Sequence, residues 1–136
     1  MVDTLTAEER SRRMTLVRSK NTKPEILVRK ILWGMGFRYR LHAKDLPGKP
    51  DIVFRKKKKV ILIHGCFWHM HEDCRLWRLP KSRQEFWEAK LLRNKDRDTY
   101  NQSLLHELGW EILVIWECEL KNTPTVTTKI ATFLNS

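Results

Sequence analysis

At 136 residues the chain has room for one domain with a modest core, and its 41% hydrophobic content is ordinary for a globular protein. Nothing approaches the ~18 consecutive apolar residues of a membrane span, and the polar stretch from Met1 to Ser11 lacks the apolar segment of a signal peptide, so a cytoplasmic protein is expected. The 27 basic residues outnumber the 16 acidic ones, for a net charge of +11. Such a domain is suited to neutralising phosphates, although ribosomal-type or merely solubilising charge has the same signature.

Taken in chain order, Thr6-x-x-Glu9 resembles a capping box that opens a basic helix to about Lys20. Thr22-x-x-Glu25, with Pro24 in the first turn, opens a second helix, and Gly34 and Gly36 end it. Phe37 to Leu41 alternates and reads as a strand, and Asp45 to Pro50 is a turn-rich loop. Ile52-Val53-Phe54 and Val60 to Ile63 are short apolar strands joined by the basic turn Arg55 to Lys59. Ser82-x-x-Glu85 is expected to cap a long helix to Leu108, stopped by Gly109. Trp110 to Trp116 reads as a buried strand, and Thr123-Pro124 begins a final helix to about Leu134.

This interleaving predicts an α/β fold, a single domain with helices around one mixed sheet. The passage from strand 60–63 through the long helix to strand 110–116 is a crossover, so those two strands should be parallel. Parallel strands end at one edge, which brings Cys66 and Cys118 within reach of each other. A hairpin centred near Lys57 sets Asp51 opposite Ile63 and beside His64.

Four constellations carry chemistry. Cys66, His71, Cys74 and Cys118 use every cysteine in the chain and offer the three sulfurs and one imidazole of a closed structural zinc site; buried free thiols beside a surface histidine are the alternative. Asp51, at the start of a buried strand, could hold Mg²⁺ with phosphate and water completing its octahedron, or could simply cap a turn. His64 and His69 near that edge could orient or deprotonate water, or be structural. Phe67, Trp68 and Trp87 could wedge between base steps, or belong to the core. Three basic sets are candidate phosphate contacts: Arg10 to Lys20, Arg55 to Lys59, and Lys81 to Arg97 along the long helix.

His64-Gly65-Cys66-Phe67-Trp68-His69, with Pro50-Asp51 before it and Glu85-Phe86-Trp87, Arg93-Asn94-x-x-Arg97-Asp98 and Trp116-Glu117-Cys118 after it, resembles the very short patch repair DNA mismatch endonucleases from about residue 8 to 120. The resemblance implies a restriction-endonuclease-like core and a Mg²⁺-dependent nick 5′ of the thymine in a T·G mismatch left by 5-methylcytosine deamination. It implies that Asp51 is the metal ligand and His69 the general base. His64 and Asp98 would support the scissile phosphate and the site, with Glu25 an accessory acid. Cys66, His71, Cys74 and Cys118 would hold Zn²⁺, and Phe67, Trp68 and Trp87 would intercalate. The partner would be double-stranded DNA met by a monomer, with mismatch-repair proteins as further partners.

In the family pattern a threonine stands where this chain has Ile63, whose backbone carbonyl is still available to the metal. One extra residue before Cys74 displaces that ligand and Asp98 by one. Two alternatives stand beside this reading: a nuclease of the same fold that cuts intact duplex, and a zinc-stabilised DNA-binding module without chemistry.

Overall fold

The computed structural model describes residues 22–72, 74 and 78–136. The basic helix expected from Thr6 to Lys20 lies outside them. Helix α1 spans Lys23–Gly34. Thr22 is its extended N-cap and accepts from the Glu25 N–H at 3.4 Å. Pro24 sits in the first turn, where a missing N–H costs nothing. At the other end Gly36 takes φ +88°, which glycine tolerates without strain, and the Phe37 N–H closes back onto the Leu32 carbonyl at 3.0 Å.

Strands β1 (Arg40–Leu41), β2 (Ile52–Phe54), β3 (Lys59–His64) and β4 (Glu111–Trp116) form one sheet in that order among the described residues. The first three pair antiparallel, whereas β3 and β4 run parallel with His64 opposite Trp116. The 24-residue helix α2 (Gln84–Glu107) makes the crossover. A short 3₁₀ turn (Glu117–Lys121) leads to helix α3 (Thr123–Leu134).

The alternation of the strands decides the layers. Ile52, Phe54, Ile61 and Ile63 share one core with Val28 and Leu32 of α1 and with Val126, Ile130 and Leu134 of α3. Val53 and Val60 face the other way, where Leu105 of α2 and Trp110 cover them. The result is an α/β sandwich with α1 and α3 on one face of the mixed sheet and α2 on the other. No described helix is long and apolar enough to cross a membrane.

Several expectations are corrected. The strand read over Phe37 to Leu41 is only two residues long, because its partner β2 ends at Phe54 and leaves Arg38 nothing to pair with. Ser82 caps nothing: α2 begins after Arg83, which has φ +57° and lies with its guanidinium 4.3 Å over the Phe86 ring. Within β4 only Ile115 is buried, since β4 is the outer strand among the described residues. The hairpin pairs Ile52 with Ile61, so continuing the register sets Asp51 opposite Leu62 rather than Ile63.

The basic turn also behaves otherwise than as a set of phosphate contacts. Lys57 Nζ donates to the Leu134 carbonyl and Lys58 Nζ to that of Leu108. Lys59, buried, donates to the carbonyls of Phe133 and Ser136. These ammonium groups thus serve carbonyls at the C-terminal ends of α2 and α3, where the helix dipole favours cations. Arg55 pairs with Asp45 at 2.7 Å.

Candidate active site

Where β3 ends, a cleft of about 770 Å³ opens between the sheet and α2. Its wall includes Glu25 from α1, Asp51 from the entry to β2, His64 from β3, His69 from the loop beyond, and Asp98, Asn101 and Gln102 from one face of α2. The loop Pro47 to Pro50 forms its rim by a close approach to α2. Gly48 has φ +74°, and a Cβ there would meet that of Asn101 at 3.0 Å, so any other residue would be strained and would push Asn101 aside.

Asp51 Oδ2 accepts from the Ile63 N–H at 2.8 Å. In a strand the N–H and C=O of one residue face the same neighbour, so the Ile63 carbonyl also points to the Asp51 side. Pro50 occupies the ladder position opposite Ile63 when the register is continued, and proline has no N–H to give. The Pro-Asp dipeptide therefore leaves the Ile63 carbonyl without a ladder donor while its own carboxylate takes the N–H. Burial, with Glu25 close by, pushes the Asp51 carboxyl up to about 7, against the favourable effects of the Ile63 N–H and His69. A carboxylate so placed calls for a cation.

Sequence reasoning missed His42. The β1–β2 register places it beside Asp51, and its N–H donates to the Asp51 carbonyl at 3.2 Å. Its Nε2 lies 3.4 Å from Glu25 Oε2, and Glu25, buried in α1, also holds Arg29 at 2.9 Å. Only the pairing of β1 with β2 reveals this neighbour; a lone histidine eight residues before Pro50 carries no signal of its own.

On the opposite wall His64 and His69 stack in parallel, ring centres 3.9 Å apart and planes 4° apart. His69 Nδ1 is held by Asp98 Oδ2 in a hydrogen bond, leaving Nε2 as its other ring nitrogen. Burial, then the neighbouring His69, pushes His64 down to about 4, so it is neutral at physiological pH. Its buried Nδ1 has no hydrogen-bond partner. The structure thus brings Asp51, Glu25, His64, His69 and Asp98 to one cleft, with His69 clamped to Asp98 as well as facing the Asp51 side.

Behind the histidine pair, one ligand atom from each of Cys66, His71, Cys74 and Cys118 lies within 4.8 Å of the others. Cys118 Sγ is 3.4 Å from His71 Nδ1; a tetrahedral zinc with ordinary Zn–S and Zn–N bonds requires about 3.6 Å, so the donor set fits. The His71 N–H returns to the Cys66 carbonyl at 2.9 Å, and the ring stacks on Trp116 at 3.9 Å. Burial raises the Cys66 thiol to about 12 and raises Cys118 as well, as expected of thiols that ionise only against a metal.

The same loop carries Phe67 and Trp68. Their rings meet at 5.0 Å, and both approach Trp87 of α2, at 5.7 and 5.9 Å. All three are half-buried and belong to neither core cluster. Lys90 lies within 6 Å of the rings of Trp68 and Trp87. The arrangement is a cationic aromatic ridge beside the cleft.

The model of the family "DNA mismatch endonuclease Vsr" matches residues 2–76. The DNA mismatch endonuclease Vsr of Escherichia coli is 38% identical over 97% of this chain and 84% of its own length. The type II nicking enzyme V.XorIIP of Xanthomonas oryzae is 45% identical over 99% and 98%, and V.NmeAIP of Neisseria meningitidis is 49% identical over 90% and 86%. Among solved structures, the catalytic domain of the homing endonuclease I-Bth0305I shares the fold, with a TM-score of 0.57 over 83% of this chain and 94% of that one, at 23% identity. The chain belongs to the Vsr family of DNA mismatch endonucleases, and it is a DNA endonuclease.

Proposed function

We propose that this enzyme nicks one strand of double-stranded DNA immediately 5′ of the thymine in a T·G mismatch, using Mg²⁺ in the cleft and Zn²⁺ in the Cys₃His site, on a restriction-endonuclease-like core. The observation that carries the reading is the pairing, within one cleft, of Asp51 beside an Ile63 carbonyl that has no ladder donor with a stacked histidine pair in which His69 is clamped by Asp98. The E. coli relative is named a mismatch endonuclease, and several others are named nicking enzymes, which favours cutting one strand.

Asp51 and the Ile63 carbonyl would hold Mg²⁺, with Glu25 as accessory acid. When bound there the ion neutralises the scissile phosphate and stabilises the departing O3′. His69, with Nδ1 occupied by Asp98, takes a proton from the attacking water at Nε2. Water oxygen bonds to phosphorus, the P–O3′ bond breaks, and the 3′-hydroxyl gains its proton from solvent. His64, neutral, can donate to a phosphate oxygen without opposing the positive charge that develops on the stacked His69.

The Zn²⁺ ligands Cys66, His71, Cys74 and Cys118 take no part in chemistry. They fold the loop so that Phe67 and Trp68, with Trp87, wedge beside the mismatch, where a weakened base pair yields most easily. A single Asp51–His69 constellation among the described residues suits an asymmetric cut by a cytoplasmic monomer that passes its nick to mismatch-repair proteins.

A duplex with a single T·G pair, labelled on either strand, tests the proposal. The expected result with Mg²⁺ is one cut, in the T strand, absent from the matched duplex and from Asp51→Asn. Equal cutting of matched and mismatched duplex would overturn the substrate assignment.

A further inference from the structure

Three donors from three separate elements converge on one wall of the cleft: Glu25 of α1, His42 after β1, and Asp51 before β2. One ligand atom from each lies within 4.8 Å of the others, and His42 Nε2 is 3.4 Å from Glu25 Oε2. An octahedral ion with ligands at about 2.1 Å separates adjacent donors by about 3 Å and opposite ones by about 4.2 Å. The His42–Glu25 separation falls within that range, and the 4.8 Å bound on all three brings Asp51 to within a small side-chain adjustment of the same coordination sphere.

The imidazole supplies an independent indication. His42 Nε2 is shielded from water yet makes no hydrogen bond; its approach to Glu25 lacks the alignment for one. The backbone accepts φ +47° at this non-glycine residue, anchored through the Asp51 carbonyl. Such strain and such an orphaned nitrogen persist where the surroundings over-determine them, commonly at ligand sites.

We propose that His42 is a direct metal ligand and that Glu25, His42 and Asp51 together select manganese(II) over magnesium(II). The chemistry is that of the donor set. Magnesium sheds water reluctantly and favours oxygen, so it gains little from a third protein donor that is a nitrogen. A first-row transition-metal dication accepts imidazole beside carboxylate. The inference deepens the proposed function, resting on its assignment of Asp51 as metal ligand, and adds the residue that decides which ion is held.

Zinc-loaded protein titrated with Mn²⁺ and observed by electron paramagnetic resonance is the test, with spin-echo modulation reading directly bonded nitrogen. The variant is His42→Asn, since asparagine tolerates the left-handed backbone but its side chain is too short to replace the imidazole nitrogen. Wild type should show ¹⁴N coupling on Mn²⁺ and bind Mn²⁺ about tenfold more tightly than Mg²⁺. His42→Asn should lose the coupling and most of that preference, while His69→Gln keeps both. Coupling that persists in His42→Asn, or Asp51-dependent Mn²⁺ binding without nitrogen coupling in wild type, overturns the inference and leaves the proposed function standing. Binding unchanged in Asp51→Asn overturns both.

Discussion

Because the Asp51 carboxyl is raised to about 7 by burial and by Glu25, a cation entering the cleft must displace a proton. The protonated fraction of a group with that pKa is about 0.9 at pH 6, about 0.5 at pH 7 and about 0.1 at pH 8. Below pH 7 the apparent Mg²⁺ affinity should fall about tenfold per unit, roughly ninetyfold between pH 8 and pH 5. Calorimetric titration in buffers of different ionisation enthalpy counts the protons released, and the count should follow those fractions. Running it also in His42→Asn removes any imidazole proton from the tally. An affinity flat from pH 5 to 8, or no proton released at pH 6, would refute the argument that burial holds Asp51 protonated.

The sign carries over to stability. Asp51's folded value lies above its ordinary 3.8, so its contribution is fully present below about pH 4 and is lost as pH rises through 7. His64 acts oppositely: its value is depressed to about 4, so its contribution is present above 6.5 and lost as pH falls toward 4.

Other outcomes follow from the same geometry. Asp51→Asn should melt higher than wild type at pH 8 without Mg²⁺, seen by thermal denaturation of the zinc-loaded protein. Asp98→Asn, which spoils the clamp on His69, should lower the nicking rate about 10²-fold or more while leaving duplex binding within threefold, measured by single-turnover cleavage and gel shift. Pro50→Ala supplies an N–H where Ile63's carbonyl now lacks a donor and should weaken Mg²⁺ binding, whereas Ile63→Val should not. Cys118→Ser should lower zinc content well below one per chain and shift the Trp68 and Trp87 fluorescence, because the loop loses its pin to the β4 end.

The pairing of the two central strands and their parallel neighbour was legible because apolar runs of β-branched residues bounded by turns admit few alternatives. The Cys₃His set was legible because it exhausts the cysteines, and the crossover rule brings their edge together. Hairpin register was not: Arg55 to Lys58 contains no glycine or asparagine to specify the turn type, and a one-residue slip is invisible in a run of lysines. The duty of those lysines was equally hidden, since their carbonyl partners on α2 and α3 lie 50 to 77 residues away.

By itself the sequence determined which groups are available: one carboxylate after a proline, two histidines flanking the start of a loop of costly residues, a thiol set and a run of aromatics. Those follow from residue type and local spacing, which a linear chain displays. Tertiary structure alone decided their partners. It set His42 beside Asp51 and Glu25, clamped His69 to Asp98, stacked His64 on His69, and turned the lysine run onto helix ends. Each of these depends on strand register or on helices crossing the sheet, and distance across a fold is settled by packing rather than by position along the chain.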